Sequence, residues 1–218
     1  NQRKQVMQIK NKKVAAKGGA VGAVIATILG VVFTMEGGYV NNPKDPGGET
    51  NHGITKAVAM SHKETLAREY GWNGSMKGLT QDMAADIYVD DYIVKPGFLE
   101  FASISPAVTH KLVDAGVNTG TSRPSKWLQE SLNDLSRGGK DYPKIQVDGK
   151  VGAGTVNAYK ALQQKRGKVA ACKVMIKMLD GKQLTHYVSL NMPDFTYGWV
   201  ANRIGNVPLE KCNDDAKI

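Results

Sequence analysis

Glu36 closes an uncharged run and opens the segment EGGYVNNPKDPGGETNHGIT, residues 36–55. Asp45 follows it, and Thr50 follows Asp45. Two carboxylates held across a cleft suit the hydrolysis of a glycosidic bond, which needs one protonated acid for the leaving oxygen and one ionised partner. Glu36 follows an apolar run that includes Val31, Val32 and Phe33. Partial burial there would raise its pKa and keep the proton in place near neutral pH. Asp45 sits among turn formers and would stay ionised, able to activate water or to stabilise an oxocarbenium-like transition state. The Thr50 hydroxyl is spaced to orient that water. Spacing alone leaves a plainer alternative, in which Asp45 of KDPGG is a turn residue and nothing more.

The elements that must position these groups can be read around them. The apolar run predicts a helix ending at Glu36, with Gly37 and Gly38 as a left-handed C-terminal cap. NNPKDPGGE is dense in proline and glycine and predicts a tight loop or short hairpin that folds Asp45 back toward Glu36. Thr55 is a candidate N-cap for the next helix. Ser105-Pro106 marks another helix start, with Val108, Leu112 and Val113 on its apolar face. Helical spacing recurs over residues 122–136, 155–165 and 169–191. Alternating apolar residues are scarce, so few strands are expected.

The formal net charge is +9. Six of those charges, Arg3, Lys4, Lys10, Lys12, Lys13 and Lys17, lie in residues 1–17, which hold no acid. The remaining body is only mildly basic and carries no nucleic-acid-binding signature, so no nucleic-acid partner is expected. A mild positive surface favours anionic polymers such as a bacterial wall or lipid headgroups. Residues 18–35, GGAVGAVIATILGVVFTM, contain no charge. As a helix they would span roughly 27 Å, close to the thickness of a bilayer core. Half of them are Gly, Ala or Thr, which weakens the transfer into lipid. Three readings stay open: a cleaved signal peptide, a buried core helix, and a weak inner-membrane anchor with a cytoplasmic N-terminus that can leave the bilayer. The anchor is the leading expectation. It implies a cytoplasmic N-terminus with the rest of the chain outside the membrane.

His52, His62, His110 and His186 form no HExxH pattern, so no metal and no cofactor are expected. Cys172 and Cys212 are too far apart for a CxxC motif; they are either a disulfide or two free thiols. Trp72, Trp127, Trp199 and Tyr39 have rings able to stack on sugars. Core packing is the preferred reading for Trp127 and Trp199, and Tyr39 is the better cleft candidate. The Asp148-Gly149 pair in QVDGKVG is first of all a turn signal.

An apolar helix, a glutamate, then Asp and Thr resembles the Glu–Asp–Thr constellation of phage lysozymes. More closely, residues 36–55 resemble the signature of glycoside hydrolase family 108, the endolysin and secretion-activator muramidases. The resemblance continues through YGW at 70–72, DIYVDDYIVKPGF at 86–98 and DAGVNTG at 114–120, then through QVDGKVGAGTVNAY at 146–159 and GWVANRI at 198–204. It implies Glu36 as the catalytic acid and Asp45 as its partner, with Thr50 or Thr55 as the third active-site residue. It also implies substrate contacts at Tyr39, Thr55, Asn118 and Thr119. The expected fold is mainly α, a lysozyme-like helical fold with a small β-hairpin beside the active site. The expected organisation is a basic N-terminus and signal-anchor-release helix over 1–35, a catalytic region over 36–140, and a peptidoglycan-associated helical region over 141–218 packed into the same domain. The resemblance also implies a chain that starts in the host inner membrane and ends in the periplasm after release. The implied activity is that of a phage endolysin cutting the β-1,4 bond between N-acetylmuramic acid and N-acetylglucosamine, as a monomer. A non-catalytic wall-binding protein and a lytic transglycosylase are the alternatives.

Overall fold

A computed structural model describes residues 9–35, 37–41 and 48–218. The chain divides into two compact units, residues 1–91 and 92–218. The fold is mainly helical with one small antiparallel sheet.

In the first unit, Asn11 caps the short helix α1 (Lys12–Ala16) by accepting a hydrogen bond from the Lys13 backbone N–H. Helix α2 (Gly19–Met35) follows. Its Val21, Ile25, Ile28, Leu29 and Val32 recur at helical spacing and are all buried against protein. Ala20, Ala23, Thr27, Val31 and Thr34 face outward. The Thr27 and Thr34 hydroxyls donate back to the carbonyls of Ala23 and Val31, so their polarity is absorbed within the helix. Among the described residues no helix is long and apolar enough to cross a membrane. This overturns the expectation of an inner-membrane anchor over residues 18–35, and with it the passage from host inner membrane to periplasm. The physical reason lies in the stripe: the large apolar residues of α2 are spent on packing, and the small ones form its outer face. In the folded chain α2 packs its apolar stripe against protein.

The sheet is a two-residue hairpin, β1 (Thr50–Asn51) paired with β2 (Ile54–Thr55). Its turn residues His52 and Gly53 both take positive φ, 50° and 74°. That is the requirement of a type I′ turn, whose twist matches the strands it joins. Asn51 is buried, and its side-chain amide donates to the Met76 and Leu79 carbonyls at 2.8 and 3.2 Å, fastening the hairpin to a 3-10 turn over Met76–Gly78. Helices α3 (Lys56–Ser61), α4 (Lys63–Tyr70) and α5 (Gln81–Tyr88) complete the unit. The Tyr70 hydroxyl donates to Asp86, which joins YGW to the start of DIYVDDYIVKPGF. Trp72 is buried and its indole N–H donates to the Ser75 carbonyl at 2.8 Å.

The second unit holds α6 (Pro106–Thr119), α7 (Ser122–Leu135), α8 (Ala153–Arg166), α9 (Lys168–Ser189) and α10 (Pro193–Arg203). Two 3-10 segments, Phe98–Ser103 and Leu209–Lys217, pack on them. Pro106 opens α6 at its first turn, and Val108, Leu112 and Val113 are buried as their spacing predicts. Asp114 accepts a 2.7 Å ion-pair bond from Arg203, so DAGVNTG and GWVANRI meet in one buried contact. Lys111, fully buried, donates to the Arg203 carbonyl at 2.7 Å and to Asn206 at 3.1 Å. Cys172 on α9 is disulfide-bonded to Cys212 of the last 3-10 segment. Asp148 and Gly149 do form a turn, with Gly149 at φ 76°. Gln129 of α7 clamps that turn from both sides, donating to Asp148 and accepting from the Gly149 N–H, each at 2.8 Å.

Candidate active site

The described part of the site lies where α2 meets the hairpin. Phe33, in the last turn of α2, makes edge-to-face contacts with His52 of the hairpin turn at 6.5 Å and with Tyr88 of α5 at 5.4 Å. These contacts fix the end of α2 over the hairpin. Helix α2 is described as far as Met35, and Gly37 and Gly38 do not take the left-handed φ of a glycine cap.

Val40 and Thr50 pair in antiparallel fashion, with N–H to carbonyl bonds of 2.8 and 2.9 Å in both directions. Thr50 therefore bridges two neighbours, Val40 on one side and Thr55 on the other. The segment 41–49 leaves and returns at this pair. Glu36 and Asp45 both lie outside the described residues.

The side chains around the pair form a connected polar chain. Tyr39 donates its hydroxyl to Glu49 Oε1 at 2.9 Å, and Lys56 donates to Glu49 Oε2 at 3.0 Å. Those two bonds hold the Glu49 carboxyl below its ordinary range, the Lys56 bond contributing most. The same Glu49 bond pushes the Tyr39 phenol up. Lys77 lies over the Tyr39 ring, its ammonium 5.5 Å from the centroid. Glu49 is thus a fixed, ionised carboxylate next to Thr50, and the sequence reading passed over it. The available signal was its place at the end of the glycine-rich turn, seven residues before Lys56.

Thr50 is half-buried, and among the described residues its hydroxyl makes a long 3.3 Å bond to the Gly48 carbonyl. Thr55 is occupied differently: its hydroxyl accepts from the Val58 N–H and caps α3. Asn118 and Thr119 belong to the second unit, at the end of α6. Asn118 donates to the Asp114 carbonyl and Thr119 to the Ala115 carbonyl, both at 2.8 Å. Trp127 and Trp199 are only partly buried, so neither is the core residue expected of it. Trp199 stacks on Tyr187 at 5.4 Å and on Phe195 at 5.6 Å.

The donor set with metal-ligand character is His62, Asp90 and Asp91, whose ligand atoms lie within 4.8 Å of one another. His62 Nε2 is 3.0 Å from Asp91 Oδ2, a direct hydrogen bond that accounts for the grouping.

Residues 29–120 match the family model described as Glycosyl hydrolase 108. Over that stretch the chain is similar to the glycosyl hydrolase 108 family. A second model, described as Predicted Peptidoglycan domain, matches residues 123–204. The two matches support a glycoside hydrolase that works on peptidoglycan. A solved structure, that of Brucella abortus SagA, is 28% identical, with a TM-score of 0.60 over 90% of this chain and 98% of that one. Its likeness therefore runs through both stretches that the two family models match. No curated protein matches. The first match takes in the end of α2, Tyr39, the Val40–Thr50 pair and the hairpin; it also reaches Asn118 and Thr119.

Proposed function

We propose that the chain is a muramidase that hydrolyses the β-1,4 bond between N-acetylmuramic acid and N-acetylglucosamine. Glu36 is the general acid in this reading. Its carboxyl proton passes to the glycosidic oxygen as the C1–O bond breaks. Asp45 is the second carboxylate, taking a proton from the water whose oxygen bonds to C1, or stabilising the oxocarbenium-like centre. Thr50 orients that water. Tyr39, Thr55, Asn118 and Thr119 are the proposed substrate contacts.

The observation that carries the reading is the Val40–Thr50 pair inside the glycosyl hydrolase 108 match. It closes the segment bearing Asp45 at a base only a few residues from Glu36 in sequence. Glu49 is less suited to Asp45's role, because Tyr39 and Lys56 already occupy its two oxygens. Thr50 is better suited than Thr55 to meet a water, because the Thr55 hydroxyl already caps a helix. The role of a phage endolysin in host lysis rests on the resemblance of residues 36–55 to that class.

Purified peptidoglycan digested by wild type and by Glu36→Gln tests the assignment. Wild type is expected to clear the suspension and release fragments with reducing muramic ends. Glu36→Gln is expected to lose clearing by at least a thousandfold while keeping its circular dichroism. Clearing retained by the variant would sink the acid assignment. Anhydro-muramic ends from wild type would make the enzyme a lytic transglycosylase, and binding without fragments would make it a wall-binding protein.

A further inference from the structure

In the second unit α7 and α9 run against each other and leave a groove of about 510 Å³ between them. Trp127 and Glu130 line it from α7, and Lys177, Gly181, Lys182 and His186 from α9. The glycine is telling. Gly181 sits within a helix of 22 residues, where glycine costs roughly 1 kcal/mol relative to alanine. A Cβ built there meets nothing within 4 Å, so packing does not demand the glycine. Its effect is to leave the trough open.

Trp127 is partly exposed, and its ring lies 5.8 Å from the His186 imidazole. The indole N–H has no acceptor among the described residues. The rim opposite is polar: Lys182 Nζ is 3.0 Å from Glu130 and 3.8 Å from Asp134. Burial and nearby Arg123 push His186 down, so at neutral pH the imidazole offers both a donor and an acceptor. An aromatic face beside a rim of fixed donors and acceptors suits a pyranose. The axial C–H groups lie on the ring, while equatorial hydroxyls and N-acetyl groups reach the polar atoms. The volume is that of a small-ligand site, within the usual 300–1,000 Å³ or so. Every lining residue falls within 123–204, the stretch that matches the peptidoglycan model.

We propose that the α7–α9 groove is a non-catalytic subsite for the N-acetylated sugars of a peptidoglycan glycan strand. Trp127 is its stacking platform, and Glu130, Lys182 and His186 are its polar rim. It keeps the chain on the polymer between cuts. The proposal rests on peptidoglycan being the substrate, and not on Glu36 being the acid.

The test uses the full chain carrying Glu36→Gln, so that binding is read without cleavage. Binding to purified sacculi is measured for this parent and for parent plus Trp127→Ala or Gly181→Leu. Gly181→Leu fills the trough at an exposed helix position and should melt no lower than the parent, so a loss of binding there is not a loss of fold. Each variant is expected to raise the Kd for sacculi at least fivefold. A soluble tetrasaccharide of alternating N-acetylglucosamine and N-acetylmuramic acid, without stem peptide, is expected to compete with the parent. Both variants binding within twofold of the parent would overturn the proposal. Failure of the tetrasaccharide to compete would overturn the sugar assignment. If the parent itself still clears sacculi, the acid assignment fails, and direct titration with the tetrasaccharide still decides the groove.

Discussion

Tyr39 and Glu49, joined by a 2.9 Å hydrogen bond, stand at the two ends of the segment that carries Asp45. The bond ties the segment's entry to its exit, beside the backbone pair of Val40 and Thr50. Tyr39→Phe removes the hydroxyl and leaves the ring and its Lys77 contact. A small loss of stability is expected from the missing hydrogen bond. Faster amide exchange at Val40 and Thr50 should accompany it, with exchange elsewhere in the first unit unchanged. A variant with wild-type exchange at both amides would show that the backbone pair holds without the tyrosine.

Helix α2 gives a sharp distinction between protein packing and lipid contact. Leu29 is fully buried in the folded chain. Leu29→Ala should therefore cost about 2–5 kcal/mol, the range for emptying a packed leucine site. Val31→Ala, on the outward face, should cost far less. Denaturant unfolding of both variants checks this. Equal and small losses would show that the stripe is not packed against protein.

Asp215 is fully buried, and burial pushes its carboxyl up to about 6. The Ser105 hydroxyl facing it pulls the other way, as does Lys168, while Asp214 adds to the rise. Tyr159 lies close enough to feel its charge. The folded pKa is above the unfolded one, so the folded state holds the proton more tightly. Stability from this group is complete below about pH 4, falls as pH rises toward 6, and is level above that. The full effect is about 3 kcal/mol. Asp215→Asn should lose this slope and be at least as stable as wild type at pH 7. A melting curve against pH for the two proteins decides it; parallel curves would refute the assignment.

The Cys172–Cys212 bond encloses a separation of 40 residues. Loop closure of that size is worth about 4 kcal/mol in the chain-entropy account. Reduction, or Cys212→Ala with Cys172→Ala, should lower the urea midpoint accordingly. The 3-10 segment Leu209–Lys217 should loosen first, because the bond fastens it to α9. Equal midpoints with and without reductant would mean that packing alone holds the segment.

Much of this architecture was legible in the sequence because it is set by local chemistry. Thr55 ahead of α3 and Pro106 opening α6 each act within a few residues, whereas the hairpin turns at His52-Gly53 and not within NNPKDPGGE as expected. Residues 122–136, read as helical from Trp127, Leu128, Leu132 and Leu135, are α7 to within one residue. What failed was long-range. Val21, Ile25, Ile28, Leu29 and Val32 are equally at home in lipid and in a protein interior, so residues 18–35 gave an ambiguous signal that only packing resolves. The pairing of Cys172 with Cys212 depends on a 3-10 segment that no periodicity announced. Glu49 went unnoticed because its importance comes from Tyr39 and Lys56 on either side of it in space. Hydrophobicity points Trp127 and Trp199 to the core, whereas Trp127 faces a groove and Trp199 lies on α10, a helix with no buried residue.

The Val40–Thr50 pair also bears on the length of the segment it closes. Residues 41–49 hang from two backbone groups already fastened to each other and to the hairpin. Doubling the length of a segment tethered this way adds only about 0.6 kcal/mol of closure entropy. A longer or shorter connection between Val40 and Thr50 is therefore expected to leave the register of β1 and β2 as it is.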